Sequence, residues 1–300
     1  MREALTRFGP LGVTFIIGSV TVWALVLILV PHLMLIDYAF HPNPGAVSKG
    51  LVEAGWSFYS FKPLFDPKDA LAFQTFLRTL LTSGAITVLT LIICYPLAYY
   101  LAKVATHKWL SFFMLCLLVP FWVNEVLRAY AWRTLMARQG LLNQLTVAMG
   151  FTPVEYFNYE LPILDANIAL FVGLVYSYIL FMVFPMFNAM ESLDTNQVEA
   201  ARDLGASWVR VHRKVVIPHA KPGIASGCIV TFMLTAGSFI VPVLLGGRSS
   251  FWFTQAIESQ FSVLNWNGGS AYALVLELVC LVFVLLTMKL FRVTLRDIMR

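Results

Sequence analysis

Asp194–Pro222 reads DTNQVEAARDLGASWVRVHRKVVIPHAKP, a charged interlude between two uncharged runs, Ala166–Met190 and Pro222–Gly247. Asp194 is placed to cap a helix, with Gln197 as the reciprocal partner of a capping box. Glu199 to Leu204 tolerate helix, and Gly205 supplies the left-handed conformation that ends one. Ser207 is placed to cap a second helix, with Trp208, Val211 and Val215 on one face and Arg210, Arg213 and Lys214 turned elsewhere. Pro218 and Pro222 are expected to stop that helix short of the next apolar run. The pattern predicts two short helices joined at a glycine, more organised than a tether requires and suited to docking another protein. The alternative is an amphipathic piece lying on lipid headgroups.

The runs on either side set the fold class. The 300-residue chain is 59% hydrophobic and 12% charged, with mean hydropathy +0.76, against about 25% charged for a soluble domain. That apolar surplus exceeds what one core can hide, and lipid is the solvent that accepts it. Crossing the hydrocarbon takes about 20 apolar residues. Further runs of that order are Phe8–Ile36 and Thr79–Ala102; Trp109–Asn124 is shorter and expected to continue as helix toward Trp132; Ser270–Met288 is interrupted only by Glu277. Without the period-two pattern of a barrel, these predict an all-α membrane protein with six transmembrane helices.

Charge fixes the expected orientation. Arg2 and Arg7; Lys103 and Lys108; Arg202, Arg210, Arg213, Lys214 and Lys221; and Lys289, Arg292, Arg296 and Arg300 fall on one set of segments. On the alternate set Lys49, Lys62 and Lys68 are offset by Glu53, Asp66 and Asp69. The positive-inside rule then puts both termini and the 191–221 loop in the cytoplasm, and it accounts for the net charge of +5 without nucleic acid. Met1–Arg7 and the run after it superficially resemble a signal peptide, but the run is too long and no cleavage site follows, so it is read as a span that stays. Pro96, Pro120, Pro185 and Pro242 are assigned to spans, as kinks for packing or as broken helices along a solute path.

The outer segments differ in character: Asp37–Leu71 is expected to be irregular, Gly140–Met149 to be an amphipathic helix, and Asn265–Gly269 to be a turn. Cys94, Cys116, Cys228 and Cys280 stand singly, and the five histidines show no ligand spacing, so neither a disulfide framework nor a metal site is expected. There is no nucleophile–base constellation, and no Gly-Lys dipeptide for a phosphate loop. The chain reads as a non-enzyme whose energy comes from elsewhere.

Glu199-Ala200-Ala201, three residues, Gly205, nine residues, then Val215-Val216-Ile217-Pro218 resembles the EAA motif of ABC importer permeases. The family has Ile where Val215 stands and Leu where Ile217 stands. The resemblance implies the type I ABC importer permease (MetI-like) architecture. It implies that Glu199, Ala200, Ala201, Asp203, Gly205 and Pro218 form the dock for an ATP-hydrolysing subunit. It further implies a second permease subunit in a heterodimer, two ATPase subunits and an extracytoplasmic substrate-binding protein. No cofactor is then expected in this chain, since ATP and Mg belong to the ATPase. Residues 1–70 would form an N-terminal helix and outer loop, and residues 71–300 a five-helix core with the docking loop at 191–222.

Val119-Pro120-Phe121-Trp122-Val123-Asn124, Arg128-Ala129-Tyr130-Ala131-Trp132, Gly140-Leu141-Leu142-Asn143 and Gly173-Leu174-Val175-Tyr176 are similar to spermidine/putrescine permeases of the PotB and PotH type. A polyamine is a flexible polycation, so its path wants carboxylates and aromatic faces. Glu125 and Glu277 lie in or beside spans, where an ionised group costs about 2.5–3.5 kcal/mol on insertion scales. Together with Trp122, Tyr130 and Tyr176 they are the expected pathway residues. Two alternatives stand: Glu125 pairs with Arg128, its i+3 neighbour, and Glu277 pairs with Arg78 or Arg128. Glu125 also replaces the family's usual small polar residue, which leaves room for another small solute such as an amino acid or opine. A gradient-driven secondary carrier, using Glu125 and Glu277 as ion sites, is the reading from a different class.

Overall fold

The computed structural model describes residues 2–53, 55–65, 70–157, 160–161, 166–247, 251–294 and 297. Asp66, Lys68, Asp69, Arg296 and Arg300 of the charge reading lie outside them. The chain forms two compact units, Met1–Ala70 with Ala256–Val275, and Leu71–Gln255 with Leu276–Arg300. Among the described residues five helical stretches are long and apolar enough to cross a bilayer: Leu11–Ser48, Leu71–Val104, Ile168–Glu191, Trp208–Ala236 and Trp266–Phe291. A sixth results if Lys108–Phe121 and Glu125–Leu135, bent by 95°, form one span.

The first unit opens with α1 (Arg2–Ala24), a π turn at Leu25–Leu29 and α2 (Val30–Phe40). The stretch expected to be irregular instead holds α3 (Pro44–Ser48), a 3-10 turn at Tyr59–Phe61 and α4 (Lys62–Phe65). Phe40 organises it, with ring centroids 5.3–5.5 Å from Trp56, Phe58 and Phe61. In the second unit α5 (Ala70–Tyr99) runs into a π turn at Tyr100–Val104, followed by α6 (His107–Phe121) and α7 (Glu125–Leu135). The expected continuous helix toward Trp132 is broken, because the Asn124 side chain accepts a hydrogen bond from the Val126 N–H at 2.8 Å and starts a new helix. The amphipathic stretch forms α8 (Leu141–Ala148). Two short strands, β1 (Glu160–Leu161) and β2 (Ala166–Asn167), pair antiparallel, and Asn167 then caps α9 (Ile168–Glu191).

After α9 come α10 (Thr195–Asp203), α11 (Trp208–Val211), a π turn at His212–Val216 and α12 (Ile217–Ala236). The prolines do not stop this helix. The Ile217 N–H bonds back to His212 O, five residues away, and this wider turn takes up the strain just before Pro218, so Trp208–Ala236 is one helix. It ends at Gly237, so Pro242 lies in the separate short helix α13 (Ile240–Leu245) rather than in a span. The chain closes with α14 (Phe253–Ser262) and α15 (Trp266–Phe291). The Asn265–Gly269 turn shifts accordingly: Leu264 reverses the chain at φ 60°, and residues 266–269 already belong to α15.

α9 and α12 pack more closely than ordinary side chains permit. A Cβ added to Gly223 would lie 2.3 Å from Pro185 O and 2.6 Å from Ala189 Cβ; one added to Gly227 would lie 2.8 Å from Met182 Sδ. Two glycines four residues apart form the small-residue face by which membrane helices approach each other. Gly223→Ala therefore forces the backbones apart and is expected to cost about 1–3 kcal/mol. Gly84, around which nothing lies within 4 Å of an added Cβ, is the control. Thermal unfolding in detergent should show a lowered midpoint for Gly223→Ala and none for Gly84→Ala; equal midpoints would contradict the close crossing.

Candidate functional site

Two places in the second unit carry chemistry or contact that packing alone does not require. The first is the segment expected from sequence to dock a partner. Asp194 Oδ1 accepts from the Asn196 N–H at 3.0 Å and opens α10. At the other end the Gly205 N–H donates to Arg202 O at 2.8 Å and the Ala206 N–H to Ala201 O at 3.0 Å. This is a Schellman closure with Gly205 at φ +76°, a conformation that an L side chain would strain. Ser207 occupies the expected N-cap position of the next helix, although its hydroxyl makes no capping bond. Val198 is buried and pins α10 from below, while Glu199, Ala200 and Asp203 face outward beside Leu204, which is 89% exposed. Ala201 is half-buried, and Pro218 is exposed one helix further on. The result is a short helix with both ends fixed and one outward face of small, acidic and apolar groups.

The second place is a cavity of about 450 Å³ lined by Glu125, Arg128, Tyr178 and Ser238 together with Phe121, Phe181 and Phe239. Glu125 is the first residue of α7, just past the break after α6, and its Oε1 accepts from the Tyr178 hydroxyl at 3.0 Å. Arg128 lines the same cavity, its guanidinium carbon 4.9 Å from the Phe121 ring centroid. The carboxylate thus bonds Tyr178, and the cation rests on an aromatic face. Arg128 Nε is buried and meets no hydrogen-bond partner among the described residues. Ser238 is held by its backbone, whose carbonyl accepts from Thr254 Oγ1 at 2.7 Å, in the break that follows α12.

Of the pathway residues expected from sequence, Glu125 alone lines this cavity. Trp122 is 84% and Tyr130 50% exposed. Tyr176 packs edge-on against Trp132 at 5.2 Å. Glu277 lies on an exposed part of α15. Tyr178 and Ser238 were not picked out, and each had a signal. Tyr178 is two residues beyond Tyr176, which turns it to a different face of the helix. Gly237-Ser238 is a small, polar pair inside an apolar run, the kind of position where a span is interrupted.

The family model for "Binding-protein-dependent transport system inner membrane component" matches residues 12–295. The spermidine/putrescine transport system permease protein PotB of Haemophilus influenzae is 32% identical over 260 residues, 84% of each chain. Its counterpart in Escherichia coli K12 is 31% identical, over 88% of this chain and 92% of that one. The E. coli inner membrane ABC transporter permease protein YdcU is 32% identical over 72% of this chain and 70% of its own. Among solved structures, a chain of a bacterial alginate ABC transporter in complex with its alginate-bound periplasmic protein superposes with TM-score 0.73. It is 16% identical, and the match covers 97% of this chain and 96% of that one, a likeness of fold alone. With the helical architecture and these matches together, the chain belongs to the inner membrane components of binding-protein-dependent ABC transport systems.

Proposed function

We propose that this chain is one of two related permease subunits in an ATP-driven importer for a polyamine, putrescine or spermidine, or a similar small cation. The observation that carries the energy source is α10: a rigid, exposed helix whose outward face is Glu199, Ala200, Asp203 and Leu204. It is suited to a groove on a separate ATPase, which supplies the ATP and Mg chemistry. The full assembly has a second permease, two ATPase subunits and an external binding protein. Both termini and the docking segment face the cytoplasm, following the excess of Lys and Arg on those segments.

For the cargo, support comes from the two PotB relatives and from the Glu125 cavity. Its carboxylate stands beside three phenylalanine rings, a setting for a protonated amine. Arg128 in the same cavity cancels the charge of Glu125, so the site holds one ammonium weakly rather than trapping a polycation. Weak holding is what conduction needs, because a solute that binds tightly does not leave. Selectivity then rests with the binding protein.

Two variants test the two halves. Gly205→Val strains the closure of α10 and should abolish ATP-driven uptake of labelled putrescine and weaken co-purification of the ATPase, with insertion intact; normal association would refute docking at this helix. Glu125→Gln keeps an acceptor for Tyr178 but removes the charge. It should cut polyamine uptake roughly tenfold, about 1.4 kcal/mol, with the ATPase still bound. Unchanged uptake would remove Glu125 from the pathway.

A further inference from the structure

We propose that His212 is the positioning residue that makes α11 and α12 move together with the docking helix and the second span, Leu71–Val104, through the hydrogen bond it shares with Tyr95. The inference rests on the docking role proposed for α10. His212 opens the π turn between α11 and α12 and is 5% exposed. Its Nδ1 lies 2.7 Å from the Tyr95 hydroxyl oxygen. The Tyr99 ring centroid is 4.4 Å away and that of Trp208 is 4.0 Å away, so the imidazole is enclosed by aromatic groups from both sides of the contact. Its Nε2 is buried and meets no hydrogen-bond partner among the described residues. Packing does not call for such a group, since a phenylalanine would fill the space without leaving a buried ring nitrogen unmet. What histidine adds is the directed bond to Tyr95.

The second span also holds the other end of the docking segment. Lys103, in the π turn that ends α5, donates from Nζ to Glu191 O at 3.2 Å and to Leu193 O, closing the end of α9 just before α10. Between these ties Val198 of α10 packs in one core with Cys94, Ala98 and Leu101 of the second span. The chain between α10 and α11 turns at Gly205. Lys103 and Val198 hold α10 to the second span, so without a tie beyond that glycine α11 and α12 could swing away from both. With Tyr95–His212 after it as well, α10, α11 and the cytoplasmic end of the second span move as one body. Both helices at this junction carry a π turn, a local widening that recurs at functional positions.

Tyr95→Phe removes one oxygen and keeps the ring; His212→Phe removes the ring nitrogens and keeps the packing. In the reconstituted complex with its ATPase and binding protein, each single variant should lower solute taken up per ATP hydrolysed by roughly five- to tenfold. The double variant should be no worse than either, and the ATPase should stay bound and active. Full coupling in Tyr95→Phe, or defects that multiply in the double variant, would overturn the proposal. A second readout needs no solute. Spin labels are placed at Val104→Cys and Arg210→Cys, both exposed positions, with the four native cysteines changed to alanine. Their separation should be the same in nucleotide-free and ATP-trapped complexes, and should change on trapping once Tyr95→Phe is added. A separation that changes equally with and without Tyr95→Phe would refute the tie. Absent polyamine uptake with the distances as expected would instead refute the polyamine reading alone.

Discussion

The close crossing of α9 and α12 is the constraint on which the second unit depends. Gly223 sits against the backbone carbonyl of Pro185, and Gly227 against Met182, and a side chain at Gly223 would push the two backbones apart. In lipid there is little hydrophobic force to drive helices together, so contact between backbones and van der Waals packing must supply the adhesion. Ala220, on the same face one heptad before Gly227, is fully buried. The crossing fixes where the docking segment leaves α9 and where it re-enters the membrane as α12.

Both functional places follow from this pair. At one end, Glu191 and Leu193 present carbonyls to Lys103, and His212 meets Tyr95. At the other, α12 ends at Gly237, and Ser238 comes to line one cavity with Tyr178 of α9 and Glu125 of α7. In the proposed function, a push on α10 and an ammonium beside Glu125 therefore act on the same two helices. Coupling in that reading is one closely packed pair, loaded at the α10 end and lining the Glu125 cavity further along.

Much of this was legible in the sequence, and the failures have physical causes. The apolar runs, the helix at Leu141–Ala148 and the left-handed Gly205 depend on local preference, and sequence carries local preference well. Pro218 and Pro222 misled because a proline's effect depends on whether a wider turn can absorb it, and the π turn at His212–Val216 does. The break at Trp122–Asn124 was hidden by continuous hydrophobicity, although Asn124 is a strong cap. Tyr178 rather than Tyr176 reaches Glu125 because helix phase relative to a neighbour is a tertiary fact. What Gly223 and Gly227 contribute depends on α9 lying against them, which no local pattern carries.

In the proposed function this chain imports its solute by way of an ATPase docked on α10. Uptake of labelled putrescine into membrane vesicles, with ATP and with the proton gradient varied independently, tests it most directly. Uptake should require ATP and survive an uncoupler. Uptake that persists after ATP depletion and collapses with the uncoupler would contradict the account.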